Sequence, residues 1–272
     1  MLPHLTGVPK QPQPVSLDSS RRTVHEIFEG VSRNAREELN RSSRALAFSG
    51  FAGGVTMGLT GLAVAIVLAV MGSGQSAEFV AYLFYPVGFI AVIIGRAQLF
   101  TENTLYPVVL VLDEHRHLGN TLRLWGVVFL SNVAGALGFG LLAIKSGALE
   151  PKVAEILARL GVQIVAQTSG HAFWSGVIGG WLIALVAWMV TASHWTVGQI
   201  LVIWLLSFVV GMGHFAHCIA SSGEIWSAVI AGAVPVAEYF RWLAFATLGN
   251  IVGGVMIVSL LNYGQVRAGH EG

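Results

Sequence analysis

His214-Phe215-Ala216-His217-Cys218-Ile219-Ala220-Ser221-Ser222-Gly223 interrupts an otherwise apolar run that begins near residue 197. The stretch places two histidines, two serines and a glycine where a membrane-spanning helix would carry leucines. Backbone that leaves the helix inside a bilayer must be satisfied by protein or by a water-filled cavity. A second interruption occurs earlier, at Leu99-Phe100-Thr101-Glu102-Asn103-Thr104, again inside an apolar run. Two interrupted segments at matching places in two halves are the expected mark of a solute pathway.

Working outward, six apolar segments lie near 44–72, 79–112, 121–146, 171–194, 197–222 and 227–262. Composition agrees: 54% of the 272 residues are apolar and 11% are charged, against about 25% charged in an average soluble domain. These values rule out a disordered chain and argue against a water-soluble enzyme. Between the third and fourth segments, Val153, Ile156, Leu157, Leu160 and Ile164 recur at helical spacing, giving a short amphipathic surface helix. Residues 1–20 contain four prolines and no apolar core, and read as a disordered cytoplasmic tail without a cleavable signal peptide. Residues 21–43 read as an amphipathic helix along the membrane surface, 44–265 as a six-span channel domain, and 266–272 as a second cytoplasmic tail.

Ten Lys and Arg fall on the side of the two termini and four on the other, with Arg96 inside a span. The positive-inside rule therefore puts both termini in the cytoplasm. The third and sixth segments share Asn-x-x-Gly among small residues: Asn132-Val133-Ala134-Gly135 and Asn250-Ile251-Val252-Gly253. Small residues allow close helix approach, and an amide can hydrogen-bond across the seam. The expected fold is an all-α membrane protein, with six transmembrane helices in two inverted three-helix repeats, aquaporin-like, broken in helices 2 and 5.

Gly95-Arg96-Ala97-Gln98-Leu99-Phe100-Thr101 and Phe215-Ala216-His217-Cys218-Ile219-Ala220 resemble the two loop motifs of the formate/nitrite transporter family. Ala187-Trp188-Met189 and Gly249-Asn250-Ile251-Val252-Gly253-Gly254 fit as well, and the resemblance covers about 30–265 in order. It implies a homopentamer of aquaporin-like protomers in a bacterial-type inner membrane. Each would move small monovalent anions or their protonated acids. The pattern departs from the family at Gln98, Glu102, Ala216, Ser221 and Gly180, and the lysine usual before the fourth span is replaced by an uncharged residue near Ile164–Gln167.

His217 is the leading candidate, because an ionisable side chain inside a membrane is a functional group by default. It would either give a proton to the solute or offer one N–H while neutral. His214, three residues earlier, is expected on the same helical face, near a vestibule or another protomer. Thr101 is expected to face the lumen and bond His217, and Leu99 and Phe100 to form an apolar constriction. Arg96 and Glu102 are expected to pair, or Glu102 to meet the N-terminus of the following half-helix, with Arg96 a stand-in for the missing lysine. Asn132, Asn250 and Ser221 complete the candidate pore set, and Glu224 is a candidate for the outer vestibule. Trp125, Trp195, Trp226 and Trp242 are expected as interface anchors. Two histidines are too few for a metal, and no cofactor, nucleic-acid partner or enzyme activity is expected. A channel for small neutral solutes is the alternative.

Overall fold

The computed structural model describes residues 22–268. The tail expected at 1–20, and the end of the second tail at 269–272, lie outside the described residues. Thirteen α-helices, one 3-10 turn and one π-helical segment occur among them, and no strand. They are α1 Val24–Asn40, α2 Ser43–Met57, α3 Leu59–Met71, α4 Gln75–Tyr82, α5 Val87–Ile94, α6 Tyr106–Glu114, α7 Leu118–Lys145, α8 Pro151–Val165, α9 Ser169–Ala192, α10 Thr196–Met212, α11 Ala220–Ile230, α12 Val236–Val252 and α13 Leu260–Ala268. Five helical segments are long and apolar enough to cross a membrane: 43–71, 75–94, 118–145, 169–192 and 236–268. Thr196–Met212 is apolar but shorter.

Three boundaries differ from the sequence reading. The run after the second break continues as α11 to Ile230, so the last long helix starts at Val236 rather than 227. Gly232, with φ +79°, and Pro235 make the turn between them; the apolar residues on both sides hid it. The last helix passes 262 and reaches Ala268 through the π segment Gly253–Ser259. There Gly254 lies against Thr104, and Ser259 Oγ donates to the carbonyls of Thr104 and Gly254, both at 3.1 Å.

The two halves repeat residue by residue. α2 packs along α7 and α9 along α12. Gly50, Gly53 and Gly54 face Ser131, Gln98 and Asn132; Gly176, Gly179 and Gly180 face Ala246, Ala216 and Asn250. At Gly54 and Gly180 the nearest atoms to an added Cβ are backbone of the partner asparagine, so only glycine permits this approach. An arginine on the third long helix of each half ties down the chain that leads into the first. Arg123 donates to the carbonyls of Leu39 (2.7 Å) and Arg41 (3.0 Å) and to Ser43 Oγ (3.2 Å). Arg241 donates to the carbonyls of Val165 (2.7 Å) and Gln167 (3.4 Å) and to Ser169 Oγ (3.1 Å). Ser42 and Thr168 cap the helices that follow. The amphipathic helices α1 and α8 are therefore repeat mates.

Trp226 and Trp242 are corrections to the interface reading. Both are buried within the chain, with the Trp226 ring tilted against Tyr239, rather than placed at a surface. Trp195 is 80% exposed.

Candidate functional site

Each break is built in the same way. α5 ends at Ile94, and the chain turns at Arg96 with φ +57°; α10 ends at Met212, and the chain turns at His214 with φ +52°. Such a conformation in a bulky residue persists only where the surroundings hold it. They do so through one asparagine per half. The Phe100 N–H donates to Asn132 Oδ1 (2.9 Å), while Asn132 Nδ2 donates to the carbonyls of Gly50 (2.7 Å) and Gln98 (2.9 Å). The Cys218 N–H donates to Asn250 Oδ1 (2.8 Å), while Asn250 Nδ2 donates to the carbonyls of Gly176 and Ala216, both at 2.8 Å. Ser49 Oγ accepts from the Gln98 N–H (3.1 Å) and Ser175 Oγ from the Ala216 N–H (2.8 Å). Asn132 and Asn250 are fully buried and line neither cavity; they position the breaks.

Where the breaks meet, Thr101 Oγ and His217 Nε2 lie 2.8 Å apart, both fully buried. His217 Nδ1 accepts the Ala220 N–H at 3.0 Å. An accepting Nδ1 carries no proton, so the neutral ring holds its hydrogen on Nε2 and donates it to Thr101. The Thr101 hydroxyl hydrogen remains available to a third group. The Phe89 ring meets the imidazole edge-on, with centroids 5.0 Å apart.

Two cavities flank this pair. The larger, about 570 Å³, is lined by Tyr82, Tyr85, His214, Phe215, Ser221 and Glu224, and by the α8 face around Leu160 and Gln163. The smaller, about 80 Å³, is lined by Arg96, Gln98, Leu99, Glu102 and Tyr106, and by Asn34, Glu37 and Glu38 of α1. Arg96 and His214, Gln98 and Ala216, Tyr106 and Glu224 are repeat mates, so the two cavities are the same place in the two halves.

Several expectations shift on this geometry. Phe100 lines neither cavity; its ring packs edge-on against Trp125 (5.8 Å) and Phe129 (5.0 Å), because its backbone is held by Asn132 on the same helix α7. Leu99 lines the smaller cavity, and Phe215, which the sequence reading passed over, lines the larger. Phe215 stands two residues before His217 within the same polar interruption, a signal open to the sequence. Arg96 and Glu102 form no ion pair: Arg96 is exposed and Glu102 is buried, though both line the smaller cavity. His214 lies in the turn rather than on a helical face with His217, and its Nδ1 meets Tyr82 Oη at 3.2 Å. Ser221 lines the larger cavity.

The formate/nitrite transporter family model matches residues 25–264. The chain belongs to the formate/nitrite transporter family. Among curated members it is 32% identical to the inner membrane protein YfdC of Escherichia coli, over 89% of this chain and 78% of that one. It is 30% identical to a probable formate transporter of Methanothermobacter thermautotrophicus, over 78% of this chain and 85% of that one. Two solved structures share the formate/nitrite transporter fold. An "FNT family ion channel" has a TM-score of 0.76 at 21% identity, covering 87% of this chain and 96% of that one. A "pentameric formate channel with formate bound" has a TM-score of 0.66 at 19% identity, covering 81% of this chain and 96% of that one.

Proposed function

We propose that this protein is a multi-pass inner-membrane channel for small monovalent anions or their protonated acids, without enzymatic activity. The observation that carries this reading is the Thr101–His217 hydrogen bond, sealed between two cavities that are repeat mates. An anion entering a cavity takes a proton from water there. It then crosses the buried stretch as the neutral acid, accepting from the Thr101 hydroxyl while His217 donates from Nε2. Passing as a neutral species avoids the cost of an uncompensated charge in an apolar wall. Leu99 and Phe215 exclude hydrated ions at the two ends of that stretch. Family membership and the relatives named for formate support the substrate class.

Each half contributes three spans, so the second half is inverted and both termini share a side. The Lys and Arg distribution supports the cytoplasm. In this reading α1 is the surface helix and α2 to α13 make the channel. The pentameric formate channel with the same fold supports a homopentamer. Channelling of small neutral solutes is the second reading, favoured by the carboxylates of Glu102 and Glu224 in the cavity walls and by the uncharged stretch Ile164–Gln167.

The deciding experiment is entry of formate, nitrite and glycerol into proteoliposomes at about pH 5.5 and 7.5. Saturable anion entry that increases at acid pH is expected. Glycerol entry without anion entry would establish the second reading. His217→Ala should lower flux while assembly is retained and the pH dependence, set by protonation of the solute in the cavity water, is kept; flux equal to wild type would remove His217 from the mechanism.

A further inference from the structure

Glu224 is 6% exposed and lines the larger cavity. Among the described residues its carboxylate has neither a hydrogen-bond partner nor an ion pair. Its place is prepared by the opposite helix: a Cβ on Gly61 of α3 would stand 2.7 Å from Glu224 Oε1. The carboxylate therefore occupies room that a side chain at 61 would fill. Glu224 also holds the position of Tyr106 in the other half, which faces the smaller cavity. Around it in the larger cavity stand Glu78, Tyr82, Tyr85, His214 and, at the exposed rim, Arg159.

The chemistry of this lining is specific. One buried carboxylate with aromatic rings beside it is the environment that attracts an ammonium group, by charge and by the ring faces. It is too sparse in oxygens for a metal ion, which seeks about six. In the smaller cavity Glu37 and the buried Glu102 stand with Arg96, while Glu38 is paired with Arg41 at 3.0 Å. An anion meets carboxylates at both mouths; a small monovalent cation meets them as partners.

The geometry points to Glu224 as the recognition group for a small weak-base cation, ammonium or a primary alkylammonium, which this channel passes as the neutral amine. The cation gives a proton from nitrogen to the Glu224 carboxylate, leaving a neutral amine and a carboxylic acid. The amine crosses the Thr101–His217 stretch and takes up a proton from water in the smaller cavity, where Glu102 faces the re-formed cation. Glu224 returns its proton to the water of the larger cavity. The net movement is one amine, and no oxidant or second reactant is needed. This inference shares the conduit with the weak-acid reading but not its substrate.

The test is uptake of labelled methylammonium into proteoliposomes, with formate uptake in parallel, for wild type, Glu224→Gln and Glu224→Asp. Melting temperature is measured for each so that folded protein is compared. The expected result is saturable methylammonium entry, with half-saturation raised about tenfold or more in Glu224→Gln and largely retained in Glu224→Asp. Formate entry without methylammonium entry, or methylammonium entry indifferent to Glu224→Gln, overturns the inference and leaves the weak-acid reading standing. Methylammonium entry without formate entry does the reverse. Entry of neither by the folded wild type overturns both.

Discussion

At His217 both ring nitrogens are committed, Nδ1 to the Ala220 N–H and Nε2 to Thr101. Placing a second proton on the ring would turn Nδ1 from acceptor to donor and set it against that N–H. The geometry favours the neutral donor over the proton-giving ring, an alternative that the sequence leaves open. Thr101→Val keeps the shape and removes the oxygen, stranding a buried N–H. It is expected to lower stability by about 1–3 kcal/mol and to reduce flux far more than Thr101→Ser, measured by melting temperature and by uptake rate. The type of the central residues was legible, since a histidine and a threonine in apolar surroundings stand out. The direction of Phe100 was not. Which way a ring turns depends on the backbone turn set by Asn132, and nothing local in the sequence encodes that turn.

At the scale of elements, the seams α2–α7 and α9–α12 depend on glycines backed by asparagine main chain. Gly180→Ala is expected to push α9 from α12 and to displace Asn250 from the break, at a cost of about 1–3 kcal/mol. Melting in detergent reports the first effect and uptake the second. A different element responds to pH. Glu114, at the end of α6, accepts hydrogen bonds from His117, from Arg36 of α1 (2.6 Å) and from Arg116. These hold its carboxyl down from the usual 4.5 to about 2. A group held low when folded adds stability above its unfolded value, and this is lost as pH falls from about 4.5 through about 2. Amide exchange in α1 should therefore accelerate over that window relative to Glu114→Gln, in which the step is absent. Helix positions and the paired Asn-x-x-Gly motifs were readable from composition and spacing. The α11–α12 boundary and the burial of Trp226 and Trp242 were not. In a bilayer, apolar residues face lipid and core alike, so hydropathy does not separate the two.

For the whole molecule, both cavities and the pair between them are lined by residues of one chain. A conduit running through one protomer predicts that each protomer conducts on its own. In mixed oligomers of wild type and Thr101→Val, flux is expected to fall in direct proportion to the share of the variant. A steeper decline, measured across mixing ratios, would mean that protomers open together. The arginine clasps of Arg123 and Arg241 carry a related consequence. Each fastens its own half's amphipathic helix to its own half's third long helix, and the chain between Lys145 and Pro151 is a short exposed crossing that contributes to neither clasp. The protein is thus two similar jaws joined by a strap, and severing the strap at Gly147 should yield fragments able to find each other and close on the same bite.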